Sequence, residues 1–248
     1  MRALQPSLAC LLLFIAPASA HAISASDQLS ALDTHNNYRS QVAQGLVGAQ
    51  PAAANMIKMQ WDTNLATVAQ NYANQCKFAH NANRHADYAA LVGGNPVIGE
   101  NIFATSAATL NMPSAVALWF NEQVDYTYAS NSCGAGMVCG HYTQMVWANS
   151  YKLGCGVKTC SSGLPFGNGS GTLLVCNYSP AGNYIGQKPY TSGPAASACP
   201  AEFASAENGL CVASQGNADV PLPVWTLALL GAGLVGAMRH RLGKSDMA

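Results

Sequence analysis

Charge is scarce in this chain. Of its 248 residues only 9% are charged, and 11 basic residues stand against 11 acidic ones. With no basic excess there is nothing to neutralise a phosphate backbone, and no nucleic-acid-binding motif occurs, so nucleic acid is excluded as a partner. Close Cys-x-x-Cys pairs, the spacing expected of a structural zinc site, are absent. No internal repeat is found. Acids are rarest where chemistry would need them: Glu100 and Glu122 are the only glutamates of the central region, beside four histidines, His35, His80, His85 and His141. Any pocket that works with ionisable side chains must draw largely on these few. What the chain does have is 50% hydrophobic residues, which excludes a disordered acidic or basic protein.

Both ends inflate that apolar fraction. Met1 and Arg2 form a short positive start, Leu8 to Ala16 an apolar core, and Ala18-Ser19-Ala20 a small-residue cleavage site, so residues 1–20 read as a secretory signal. The apolar run is far below the roughly 20 residues that span a bilayer. At the other end, Val220-Pro221-Leu222-Pro223 opens an apolar stretch to Met238, closed by Arg239-His240-Arg241. Leu222 to Met238 sits at the short limit for a membrane helix, with its basic end on the cytoplasmic side. Residues 220–248 therefore read as a transmembrane segment, and they also resemble the tripartite C-terminal sorting tails of bacterial surface proteins. Without these ends, seven basic residues face ten acidic ones. Eight cysteines remain once the signal is removed: Cys76, Cys133, Cys139, Cys155, Cys160, Cys176, Cys199 and Cys211. An even count in an exported chain favours disulfides, but spacing alone does not choose among the connectivities.

Between the ends the periodicity predicts three helices and two strands. Ser26 to Ala43 carries Leu29, Leu32, Tyr38 and Val42 at helical spacing, and Asp62 to Cys76 begins with an Asp cap and repeats Leu65, Val68, Ala69 and Tyr72. Pro113 suits the first turn of a third helix with Val116, Trp119, Phe120 and Val124. Strands are expected over Lys152 to Thr159 and Thr172 to Tyr178, separated by a Gly/Ser/Asn-rich turn. Helices early and strands late favour an α+β layered domain over a parallel βαβ fold. Residues 191–219 read as a linker holding a small two-cysteine extension.

Gly99-Glu100-Asn101-Ile102 is a polar interruption beside apolar residues, and Trp119 and Glu122 share one helical side. Spacing alone leaves these glutamates as readily a turn residue and a solvated helix residue as members of a site, and His80 and His141 are no less ambiguous. Four motifs change that. Gly140-His141-Tyr142-Thr143-Gln144-Met145-Val146-Trp147-Ala148-Asn149-Ser150 resembles the first signature of the CAP superfamily, the cysteine-rich secretory, antigen 5 and pathogenesis-related class 1 proteins. Leu174-Val175-Cys176-Asn177-Tyr178-Ser179-Pro180-Ala181-Gly182-Asn183-Tyr184 resembles the second. His35-Asn36-Asn37-Tyr38-Arg39 and Gly99-Glu100-Asn101-Ile102 resemble two shorter ones. The resemblance covers about residues 26–190, and the run from Asn131 through Cys139 to Tyr190 is especially similar to the plant branch.

The resemblance implies a three-layer α-β-α sandwich with a central antiparallel sheet and a surface cleft holding His80, Glu100, Glu122 and His141. It implies a structural hydrogen-bond pair for His35 and Arg39, and disulfides Cys76–Cys160, Cys133–Cys139 and Cys155–Cys176, leaving Cys199 to pair with Cys211. Asn81 stands where the family usually has Ser, which weakens any catalytic scheme needing that hydroxyl. Members of the family bind sterols or fatty acids, and the apolar, Gly-rich loop expected over Tyr88 to Gly94 corresponds roughly to the segment implicated. The expected function is thus an exported binding module for a sterol, a fatty acid, an extracellular protein or a membrane surface. The alternative is a hydrolase in which a His-bound metal activates water. His80 and His141 as imidazole ligands suit Zn²⁺ or a neighbouring transition metal, with Glu100 and Glu122 either ligating directly or orienting the rings.

Overall fold

A computed structural model describes residues 23–214, and the signal and tail readings fall outside them. Helix α1 (Ala25–Ala43) starts where the Ser24 hydroxyl accepts the Asp27 N–H. Helix α2 (Thr63–Ala73) is capped by Asp62 Oδ1, which accepts the Asn64 and Leu65 N–H groups. A third helix, α3 (Arg84–Val92), follows, and then α4 (Met112–Asn121), with Pro113 in its first turn and the Asn111 side chain accepting the Ser114 N–H. Helix α5 (Gly140–Met145) is short.

The strands are β1 (Gln60–Trp61), β2 (Gly99–Thr105), β3 (Tyr126–Thr127), β4 (Ser132–Cys133), β5 (Lys152–Cys160), β6 (Gly171–Ser179), β7 (Ser205–Glu207) and β8 (Leu210–Val212). The central sheet runs β1-β5-β6-β2. Its three long strands pair antiparallel as expected, but the two-residue edge strand β1 lies parallel to β5, so the sheet is mixed. Strand β6 is buried on both faces. Leu173 and Val175 pack with Ala69, Tyr72 and Ala73 of α2, while Leu174, Cys176 and Tyr178 join the core that takes in α1, α4 and α5. This alternation is the sandwich: helix, sheet, helix.

Glycines set the first layer's spacing. A Cβ on Gly154 would come within 2.2 Å of the Ala66 nitrogen, and one on Gly156 within 2.4 Å of the Gln70 backbone, so α2 lies directly on β5. Four disulfides bind the described residues: Cys76–Cys160, Cys133–Cys139, Cys155–Cys176 and Cys199–Cys211. They are the pairs the resemblance implies. Cys155 and Cys176 sit directly opposite each other in the β5/β6 register.

Three sequence expectations change. Gly99 to Ile102, read as a polar interruption, opens β2, whose seven residues pair with β6. The supposed apolar loop Tyr88 to Gly94 is mostly the end of α3, with Tyr88 buried and its hydroxyl on Asp62 Oδ2; only Gly93 and Gly94 form the turn. The two-cysteine segment is not a free linker. Cys211 exchanges backbone hydrogen bonds with Met56 and Lys58, and Lys58 pairs with Glu207 at 2.7 Å.

Candidate functional site: two histidine–glutamate pairs beside a cleft

Helix α1 buries an unusual stripe. Ala31, His35, Arg39, Val42 and Ala43 face the core, whereas Leu29, expected on the apolar side, is exposed. His35 Nδ1 lies 2.7 Å from the Ala31 carbonyl and Nε2 lies 2.9 Å from the Tyr178 hydroxyl. A carbonyl only accepts, so Nδ1 carries the proton and Nε2 accepts from the tyrosine. Burial pulls the His35 pKa down to about 4, so the ring is neutral. Arg39 is wholly buried without a carboxylate, its guanidinium donating to the carbonyls of Ile57, Met145, Trp147 and Ala148. Burial lowers its pKa to about 9, which leaves it charged at neutral pH. His35 and Arg39 do not bond each other: each ties α1 to a different part of the chain. This corrects the expected pairing while leaving their role structural.

His80 and Glu100 meet across 20 positions of sequence, Nδ1 to Oε1 at 2.8 Å. The same oxygen accepts the Asn81 N–H, and the Glu100 side chain is 1% exposed against 58% for His80. Glu100 Oε2 is buried with no hydrogen-bond partner among the described residues. His141 and Glu122 form a second pair, Nδ1 to Oε1 at 2.5 Å, and Glu122 Oε2 accepts the N–H groups of His141 and Tyr142. In both pairs Nδ1 is the nitrogen that engages the carboxylate. Nε2 of each ring has no protein partner among the described residues.

Strand β2 runs between the pairs. Glu100 serves His80, the Asn101 side chain donates to the His141 carbonyl, and the Ile102 carbonyl accepts the Trp119 indole N–H, whose ring stacks near-parallel on His141 at 6.0 Å. Trp119 and Glu122, placed on one side of a helix from sequence, thus both touch His141, although Glu122 begins a 3₁₀ turn just beyond α4. Three contributors were missed. Asn81 shapes the turn before α3, donating to Asp87 and accepting from the Asn83 N–H. Asn101 ties the pairs together, and Gln144 Oε1 accepts the Gly182 N–H. A Cβ on Gly99 would collide with the Gln144 amide at 2.0 Å, so the glycine of the short motif is what admits that glutamine.

Two cavities flank Asn183 and Tyr184. One, of about 280 Å³, is lined by His80, Glu100, Arg84, His85 and Val97, while the larger, about 320 Å³, is lined by Tyr126, Met137 and Trp147. The smaller one carries the ionisable groups. His141 and Glu122 line neither of these two. Among the described residues no three His, Cys, Asp or Glu side chains gather as a ready metal site.

An α+β sandwich pinned by disulfides, with two carboxylate-held histidines beside a surface cleft, is the class that fold and site define. The family model described as CAP, the cysteine-rich secretory protein family, matches residues 32–178, and the chain belongs to that family. Peptidase inhibitor 16 of Bos taurus is 39% identical over 209 residues, covering 82% of this chain and 41% of its own length. The chain therefore spans about four-tenths of that relative. GLIPR1-like protein 1 of Homo sapiens is 39% identical over 180 residues, covering 73% of this chain and 69% of its own. Among solved structures, that of NaASP2 with Zn²⁺ aligns with TM-score 0.61 at 32% identity, covering 77% of this chain and 98% of the other. These curated relatives are animal proteins, which corrects the likeness to the plant branch. The sorting-tail likeness of residues 220–248 gains no support from them and lies outside the described residues. No helix among the described residues is long and apolar enough to cross a membrane.

Proposed function

We propose that this chain acts as an exported binding module, presenting its cleft to a small amphiphile such as a sterol or fatty acid, or to an extracellular partner surface, without turnover. One observation carries the reading: both candidate histidines are held by glutamates through Nδ1, and neither bonds a hydroxyl or thiol. A nucleophile needs a base within hydrogen-bond reach. The eight cysteines of the described residues are all in disulfides, and Asn81 stands where a serine would have been the obvious candidate. The exposed apolar side chains Leu91, Val92 and Val97 support an amphiphile in preference to a purely polar ligand.

The donor set also fits a divalent metal. Imidazoles oriented by carboxylates through Nδ1, with Nε2 free, are the arrangement that metal-ligating histidines commonly use, and the partnerless Glu100 Oε2 is an atom a nearby cation would satisfy. His80 and His141 would hold the ion through Nε2, with Oε1 of Glu100 and of Glu122 keeping the two rings oriented. A bound ion would supply Lewis acidity to a water or an acidic ligand group. Two protein ligands make such a site open and weak, and this is the basis on which the hydrolase remains the second reading.

Native mass spectrometry of the exported protein, with and without added Zn²⁺, tests the proposal alongside an ester and peptide hydrolysis assay. Expected are a small-ligand adduct lost on denaturation, a zinc adduct lost in His141→Ala, and no multiple turnover. Hydrolysis over many cycles that Glu100→Gln abolishes would replace the binding reading with the enzymatic one.

A further inference from the structure

The smaller cavity has a second polar corner that the two His–Glu pairs do not use. Arg84 and His85 open α3, and both line the cavity together with the buried Glu100. The Arg84 guanidinium is fixed by two bonds, Nε to the Ile98 carbonyl at 3.1 Å and Nη1 to the Asn81 carbonyl at 2.9 Å. Nη2 has no protein partner, and Arg84 is in none of the ion pairs among the described residues. His85 Nδ1 accepts the Ile98 N–H at 3.1 Å, so the ring's own N–H is on Nε2. A fixed cation with an unused N–H stands beside a neutral ring with an unused N–H. Nothing of opposite charge meets the guanidinium.

We propose that Arg84 and His85 form a carboxylate-binding corner, and that the ligand of this cleft is a singly charged carboxylic acid, its two oxygens taking Arg84 Nη2–H and His85 Nε2–H. The inference rests on reading the cleft as a binding site but requires no metal in it. Charge selects the ligand. One guanidinium balances one carboxylate, whereas a doubly charged phosphate would leave an uncompensated charge near Glu100, whose own charge is met by His80 and the Asn81 N–H. Val97 on the cavity wall is 47% exposed, and Leu91 and Val92 at the far end of α3 are 48% and 45% exposed, an apolar surface suited to an acyl tail. A neutral sterol has nothing to offer the guanidinium.

Titration of the exported protein with octanoate, acetate and methyl octanoate, in the presence of a chelator and followed by calorimetry, tests the corner. Octanoate should bind, and the uncharged ester should bind at least about tenfold more weakly, as should octanoate to Arg84→Gln and to His85→Leu. Octanoate binding well above acetate identifies a fatty acid head as the source of the carboxylate, and equal binding identifies a free small acid. Because Arg84 also braces residues 81–98, each variant's melting temperature is read first, and His85→Leu decides if Arg84→Gln does not fold. Equal affinity of wild type and the folded variants, equal affinity for acid and ester, or no binding of either acid overturns the inference. Each of these leaves the binding module standing, which only sustained hydrolysis lost in Glu100→Gln would remove.

Discussion

His35 makes the fold sensitive to acid in a defined window. Buried among Ala31, Tyr178 and the rest of the α1 stripe, it is held neutral, its pKa brought from 6.5 down to about 4 chiefly by loss of solvent, against the raising effect of the Ala31 carbonyl. An unfolded chain takes up a proton on this ring below about 6.5, while the folded chain refuses it until near 4. The unfolded state therefore binds more protons between those values, and stability falls as pH falls. The contribution is fully present above about 6.5, declines through the window and levels off below about 4. At about 1.4 kcal/mol per pH unit it amounts to roughly 3 kcal/mol, a large part of a typical domain's stability. The perturbation is His35→Gln, whose amide can donate to the Ala31 carbonyl and accept from the Tyr178 hydroxyl but does not titrate. At pH 7.5 the variant should be less stable by about 1–2 kcal/mol for its poorer geometry. Its stability should then decline less than wild type on acidification, so that the two curves cross between about pH 6 and 5 and the variant is the more stable by about 1–2 kcal/mol at pH 4. Guanidinium denaturation at a series of pH values, with disulfides intact, measures both. Parallel curves for wild type and variant across the window would show that His35 is not the group responsible, and the burial argument would fail.

Two further predictions concern the scaffold. Replacing Cys76 and Cys160 by Ser opens a loop spanning 84 positions, and replacing Cys199 and Cys211 opens one spanning 12. Loop entropy gives losses of about 5 and 3 kcal/mol, so the first variant should melt below the second, and the reverse order would show that local strain or docking dominates. Gly154→Ala should cost more than about 3 kcal/mol, since its Cβ would meet α2 backbone at 2.2 Å. A thermal midpoint within a degree or two of wild type would mean that α2 shifts freely on the sheet.

What could be read from the sequence depended on how local each cause was. Helices α1, α2 and α4 announced themselves through local signals, apolar residues at helical spacing joined by the Asp62 cap for α2 and by Pro113 in the first turn of α4, and β5 and β6 through short runs such as the apolar Leu173 to Cys176. Strand β2 did not, because Gly99, Glu100 and Asn101 are polar for the site's sake and become strand only through seven pairings with β6. Helix α3 was hidden by the Gly93-Gly94 turn and Pro96 that follow it, and α5 has too few residues to show a period. Buried Arg39 reads in sequence like any surface arginine, because the carbonyls that satisfy it lie 18 and more than 100 positions away.

The site followed the same division. Composition narrowed the acids to Glu100 and Glu122 and family likeness joined them to His80 and His141, but which histidine each holds emerged only in the fold, since each pairing bridges about 20 positions and the two halves sit on different elements. The geometry shows why both glutamates behave alike from such different starting points. Each grips an imidazole and also the backbone N–H beside it, Asn81 for Glu100, and His141 itself with Tyr142 for Glu122. A carboxylate that binds ring and backbone together fixes where the ring stands as well as which nitrogen faces outward. Replacing either glutamate would therefore release a turn along with a histidine, so a loss of ligand binding in Glu100→Gln or Glu122→Gln reports positioning of the cleft unless the His80 or His141 variant reproduces it.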